Sequence, residues 1–286
     1  MEHAIWYTVT STDTKCMATC KEEIQMSQLP GIEDLMNYEH GTTPKDYSFT
    51  SIFRTIACVG DSLASGEFEL IDEEGKHHYY DRFEYSWGQF LARKIGSTVY
   101  NFSRGGMTAM EYCKSYARLK GYWDPELKAQ AYIVALGVND LVNNHQDPGE
   151  IDDVDFSDPD KNRETFLGYY AKIIQKYRQI QPDSYFFLMT MPYSAGESEQ
   201  DARLKRRHAE LLYALSERIE RVYILDFNRY VPPHDEEFQR KYYMNGHLTP
   251  TGYVVTAELV DRYIDCIVRN NPEEFKMVGM MNVPTP

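Results

Sequence analysis

The 286 residues carry 30 Lys plus Arg against 44 Asp plus Glu, a net charge of −14, and 42% of them are hydrophobic. That apolar content rules out a disordered or fibrous chain, and the acid surplus repels phosphate backbones and so argues against a nucleic-acid partner. The longest apolar runs, such as 132–136, fall far short of the roughly 18 residues a membrane helix needs, and five cysteines at scattered spacings argue against a disulfide framework.

Residues 1–50 read as an N-terminal extension packing on one domain over 51–286. Within the extension, 4–9 has the composition of a strand, and Pro30-Gly31 and 41–44 mark turns. No basic residue precedes Lys15, so no secretory signal peptide is expected and a cytoplasmic location follows. From residue 53 onward the pattern becomes regular. Segments 53–59, 97–102, 131–136, 184–191 and 221–227 are short, mostly apolar and bounded by polar or Gly/Pro residues, as strands buried on both faces are. Helical periodicity alternates with them over 87–95, 166–177, 204–219 (with His208 counted as core-facing) and 253–267. Thr249 suits the N-cap of the last helix and Pro250 its first position. Alternating strands and helices imply a parallel sheet covered on both faces.

In an open parallel sheet, ligands bind beyond the carboxyl ends of the strands. The first strand runs into Gly60-Asp61-Ser62-Leu63, the second into 101–108 with Gly105-Gly106, and the third into Gly137-Val138-Asn139-Asp140. The fifth precedes the loop holding Asn245-Gly246-His247. A serine hydroxyl is a weak nucleophile until a base within hydrogen-bond reach takes its proton, and imidazole titrates in the right range to do so. Attack on an ester carbonyl puts charge on its oxygen. The amides of Ser62 and Gly106 and the side-chain amide of Asn139 are suitable donors for that charge. Glycine at 106 allows close approach of the backbone. Asp61 and Asp140 are expected to bond loop amides.

Gly60-Asp61-Ser62-Leu63 resembles the first block of the GDSL, or SGNH, hydrolase family. Gly106, Asn139 and His247 follow in the order of that family's remaining blocks, so the resemblance spans about 54–253. It implies a flavodoxin-like three-layer α/β/α fold with five parallel strands in order 2-1-3-4-5, and hydrolysis of esters, including lipids, short acyl esters and acetylated sugars. Ser62 then stands as nucleophile, His247 as base, and Ser62, Gly106 and Asn139 as oxyanion donors, with no cofactor and a small-molecule ester as substrate.

One position departs from the family. An aspartate usually stands three residues before the histidine; here that residue is Met244, whose thioether is too weak an acceptor to hold an imidazole. A main-chain carbonyl near Met244, or Asp226, Asp235 or Glu236 from elsewhere, could hold the ring, and the carbonyl is the favoured alternative. A chain left without any acceptor would be a catalytically impaired binding module for an acylated or sugar ligand. A flavodoxin-like nucleotide binder is a further alternative, but no Gly-rich phosphate loop follows the first strand.

Residues 147–160 hold seven acids and no base, without the glycine and terminal glutamate of a calcium loop. They read as a solvated loop beside the site. His77-His78 and Cys16/Cys20 lack partners at metal-ligand spacing, so no metal is expected. Of the 23 tyrosines, Tyr79, Tyr80 and Tyr85 are candidates for lining the pocket. Loops at 64–86 and 142–163 are expected to set substrate preference.

Overall fold

The computed structural model describes residues 47–281. The expected strand at 4–9 and the packing of 1–46 lie outside the described residues. In chain order the strands are β1 (Thr55–Gly60), β2 (Glu67–Ile71), β3 (His77–Asp81), β4 (Thr98–Asn101), β5 (Ala131–Ala135), β6 (Tyr185–Met189), β7 (Val222–Leu225), β8 (Tyr243–Met244) and β9 (His247–Leu248). The helices used below are α1 (Ser62–Ser65), α2 (Trp87–Ile95), α3 (Phe166–Ile180), α4 (Glu199–Ser216), α5 (Glu236–Tyr242) and α6 (Pro250–Asn270).

Five of the strands form one parallel sheet in order β4-β1-β5-β6-β7. Counted along these five, the order is the expected 2-1-3-4-5. Successive side chains of a strand point to opposite faces, and both faces here are apolar. Ala57, Val59, Tyr132, Val134, Phe186 and Leu188 pack on one side under α3 and α4. Ile56, Cys58, Ile133, Tyr185 and Phe187 pack on the other under α2 and α6. That two-sided burial is why these strands read as continuous apolar runs.

Phe187 is fully buried, edge-on to Phe53 at 5.7 Å between ring centroids and stacked on Tyr223 at 5.7 Å. Phe187→Ala removes a ring that the neighbouring rings cannot replace. The expected cost is about 3–5 kcal/mol, read as a lower urea midpoint at unchanged slope.

The helices follow their caps. Thr249 Oγ1 accepts the Gly252 amide at 3.2 Å, with Pro250 at the first helical position, so α6 begins where expected. It runs to Asn270. Helix α4 starts at Glu199, five residues before the expected 204, because Ser198 Oγ accepts the Asp201 amide at 3.1 Å. It stops at Ser216, short of Ile219, since the chain must turn through Arg221 at φ +56 to enter β7. Residues 48–50 dock on α6 through Phe49 N–H to Asp265 Oδ1 at 2.5 Å and Thr50 Oγ1–H to the Asp261 carbonyl at 3.1 Å.

One difference from the sequence reading affects the site. The span 64–86, expected as a loop, contains the antiparallel hairpin β2–β3, turning through Gly75 at φ +81. A second, two-residue pairing, β8–β9, sets Met244 opposite His247.

Candidate active site

Ser62, Gly106 and Asn139 each follow the carboxyl end of a sheet strand, and His247 opens the short strand β9. Asp61 caps α1, its Oδ1 accepting the Leu63 amide at 3.2 Å, which puts Ser62 at the first helical position directly after β1. The loop after β4 is tied to β1: Ser103 Oγ donates to the Cys58 carbonyl at 2.9 Å and the Arg104 amide to the Gly60 carbonyl at 3.3 Å. Gly106 in that loop has φ +70, where a side chain is strained, and the space beside its Cα is open. After β5, Asn139 Nδ2 donates to the Met107 carbonyl at 3.2 Å, and Asn139 Oδ1 accepts from Asn143 at 2.8 Å. Asp140 Oδ1 accepts the Ala109 amide at 2.8 Å and so binds the third loop to the second. Asp61 and Asp140 thus both bond main-chain amides, though in the first turns of helices rather than in loops. Burial pushes both carboxyls up to about 7.

Ser62, Gly106, Asn139 and His247 line one cavity of about 710 Å³. Its walls are largely apolar, with Leu63, Trp87, Leu136, Val138, Met191 and Phe227 among the lining residues. Tyr79 also lines it, its ring 5.9 Å from that of His247 in an edge-on pair. Tyr80 and Tyr85 are exposed and do not line it. From 142–163 only Asn143 reaches the cavity. Several acids of 147–160 have partners of their own: Asp155 accepts the amides of Ser157 and Asp158, Asp153 pairs with Arg163, and Asp160 with Lys172.

The imidazole of His247 sits between two carboxylates. Nδ1 lies 3.0 Å from Glu69 Oε2 and Nε2 lies 3.1 Å from Glu67 Oε1, all three side chains being largely buried. Burial disfavours the imidazolium, but the two carboxylates outweigh it and raise the His247 pKa. Glu69 is buried too, yet the hydrogen bonds from His77, His247 and the Gly246 amide hold its carboxyl down at about 2. Ser62 Oγ makes no hydrogen bond among the described residues. Nε2, the atom a serine base would use, faces Glu67.

The model of the GDSL-like lipase/acylhydrolase family matches residues 58–255, well over half the chain. The chain belongs to that family. It is accordingly a carboxylic ester hydrolase. No curated protein matches this acylhydrolase in sequence, but many solved structures share its fold. A family two carbohydrate esterase from Clostridium thermocellum, solved in complex with cellohexaose, aligns over 82% of this chain and 68% of its own at TM-score 0.52 and 15% identity. The family 2 carbohydrate esterase of Corynascus thermopiles (Myceliophthora fergusii), solved with its carbohydrate binding domain, aligns over 81% and 69% at TM-score 0.50 and 15% identity. The psychrotrophic esterase EstA from Pseudoalteromonas sp., inhibited by monoethylphosphonate, aligns over 76% and 100% at TM-score 0.50 and 14% identity.

In this GDSL-like hydrolase the ring's partners differ from every candidate that the sequence offered. Met244 is partly exposed across the β8–β9 pair, and among the described residues it is Glu69, not a main-chain carbonyl, that takes Nδ1. Asp226 is engaged elsewhere, accepting from Thr190 Oγ1 at 2.9 Å and Tyr213 OH at 2.8 Å. Asp235 caps α5 through the Phe238 amide at 2.8 Å, and Glu236 is exposed in the first turn of that helix. Glu67 and Glu69 had a legible signal. Glu67–Ile71 and His77–Asp81 flank an acidic turn ending in Gly75, a hairpin pattern. It was obscured because the acidic residues Glu67 and Glu69 are the inward ones, while Leu70 and Ile71 are exposed.

Proposed function

We propose that this chain cleaves carboxylic esters, of short acyl groups or acetylated carbohydrate, through an acyl-enzyme on Ser62 with His247 as general base. The observation that supports this best is the gathering of Ser62, Gly106, Asn139 and His247 around one cavity from four separate stretches of the chain. The Ser62 proton passes to Nε2 as Oγ bonds the ester carbon, and the carbonyl oxygen takes up negative charge facing the amides of Ser62 and Gly106 and the side chain of Asn139. The carbonyl then re-forms as the C–O bond to the alcohol breaks, and the alcohol leaves with the proton from His247. Water repeats the sequence in reverse roles and releases the acid.

Two conditions follow for this chemistry. His247 must lose one proton, since a ring donating to two carboxylates at once is the imidazolium, and Glu67 must give up Nε2 to the serine hydroxyl. The apolar walls suit an acyl chain, and half-exposed Tyr79 offers an aromatic face on which a sugar ring can pack.

A second reading has its own observation: Nε2 faces Glu67, and among the described residues Ser62 Oγ has no hydrogen-bond partner. A chain fixed in that arrangement would bind an acylated or sugar ligand without turning it over. A fluorophosphonate probe decides between the two, because it labels only an activated serine. We expect labelling of the full chain that saturates at one site and disappears in Ser62→Ala. A wild-type chain that resists the probe supports the binding module.

A further inference from the structure

We infer that Glu69 is the positioning residue for His247: its carboxylate, delivered by the β2–β3 hairpin, holds Nδ1–H and so presents Nε2 to Ser62, in place of the acid missing at 244. The inference rests on the Ser62/His247 reading above and adds a residue that the block around His247 does not contain.

The loop before His247 is built around this one side chain. Glu69 Oε2 accepts Nδ1–H of His247 at 3.0 Å and also the Gly246 amide at 2.7 Å. The Glu69 main-chain carbonyl accepts Asn245 Nδ2–H at 2.8 Å. Three successive residues, 245 to 247, therefore close on residue 69 from 176 or more positions away in the chain. Asn245 takes φ +57 to do so. A Cβ at position 246 would lie 2.6 Å from Glu69 Oε2, so any side chain there would displace the carboxylate from this place. The other oxygen, Oε1, is held by His77 Nδ1 across the hairpin. The carboxylate is thus fixed at both oxygens before it meets the imidazole, as a group that must select one tautomer has to be.

Glu67 does not fill this role. It contacts Nε2, the nitrogen the reaction consumes, and its Oε2 lies against Gly105, where a Cβ would come within 1.6 Å. Asp226 and Asp235 are hydrogen-bonded elsewhere, and Met244, although it stands opposite His247 in the β8–β9 pair, offers only a weakly accepting thioether. The titratable groups facing the imidazole are Glu67, Glu69 and Tyr79, with Asp61 and His77 one contact further out.

The test compares wild-type chain with Glu69→Gln and Glu69→Asp, using a short-chain nitrophenyl ester across pH, with the fluorophosphonate rate measured in parallel. For Glu69→Gln, kcat is expected to fall about 10²-fold with KM within about threefold. Its acid limb should move to lower pH, because one of the two charges that favour the imidazolium is gone. Glu69→Asp, which keeps the charge, should recover part of kcat and return the acid limb toward the wild-type position. A merely structural glutamate would not move that limb. A folded Glu69→Gln chain with wild-type kcat and acid limb, in an enzyme that Ser62→Ala silences, overturns Glu69 and leaves the serine mechanism standing. A wild-type chain that neither hydrolyses the ester nor takes the probe overturns the serine mechanism itself. Should the glutamine variant fail to fold, the proton NMR spectrum of the wild-type chain decides instead. An exchange-protected, far-downfield Nδ1–H resonance that His247→Gln removes supports the contact, and its absence overturns it.

Discussion

Replacing His247 with alanine is expected to lower kcat/KM for a short nitrophenyl ester by about 10⁴-fold or more, the loss seen when a serine nucleophile is left without its base. The residual rate should lose the acid limb, because in the wild type that limb reports the imidazole giving up its proton. The two flanking carboxylates raise the His247 pKa above its ordinary value of 6.5. Wild-type kcat/KM should therefore rise with pH through a limb lying above 6.5, and activity should drain away as pH falls through it. A wild-type profile flat from pH 5 to 8 would overturn the assignment of His247 as base. The same variant carries a stability signature with a definite sign. The Glu69 carboxyl is held at about 2 against an ordinary 4.5, partly by His247. A depressed acid contributes stability that is present above its unfolded pKa and is lost as pH falls through its folded value. Removing the ring should lower stability at neutral pH, and the gap to wild type should narrow between about pH 4.5 and 2. Urea unfolding at pH 7 and pH 3 checks it.

What could be read in the sequence, and what could not, divides along physical lines. The five sheet strands were legible because a strand buried on both faces has no polar side to break its pattern; 131–136 and 184–191 are bounded within a residue or two of β5 and β6. Helix α6 was legible at its start because Thr249-Pro250 is a local signal that depends on no distant contact. Ser62, Gly106, Asn139 and His247 could be singled out because each follows a readable strand or stands just before a readable cap. The partners of His247 were not legible from its own neighbourhood. Position 244 holds methionine, and the candidate acids Asp226, Asp235 and Glu236 lie between the fifth sheet strand and His247. The ring instead meets β2, some 180 residues upstream, through a hairpin whose buried positions are charged. Inward glutamates invert the alternation by which half-buried strands are recognised. They are tolerated there because each has a partner: Glu69 has His247, His77 and the Gly246 amide, and Glu67 has His247. A local pattern cannot report a charge that is satisfied from the far end of the chain.

Asn139→Ala should lower kcat by about 10²–10³-fold, or about 3–4 kcal/mol of transition-state stabilisation, with KM little changed. The asparagine is clamped at both ends of its amide: Nδ2 donates one hydrogen to the Met107 carbonyl at 3.2 Å, and Oδ1 accepts from Asn143 at 2.8 Å. An amide nitrogen carries two hydrogens, so one remains free at a residue that lines the cavity beside Ser62 and Gly106. Held by those two bonds, it needs no reorganisation when charge develops on the substrate oxygen, and that is the condition under which such a donor is effective. A donor of this kind acts on the transition state more than on the bound ester, so the loss should fall on kcat. Asn143→Ala tests the clamp separately. It leaves the donor in place but frees Oδ1, and a smaller loss, about tenfold, is expected. Asn139→Asp should be at least as damaging as alanine, because it sets a carboxylate where the developing oxyanion needs a hydrogen. Steady-state kinetics on the three variants separate these effects. If alanine at 139 left kcat intact, the backbone amides of Ser62 and Gly106 would be carrying the oxyanion without the side chain.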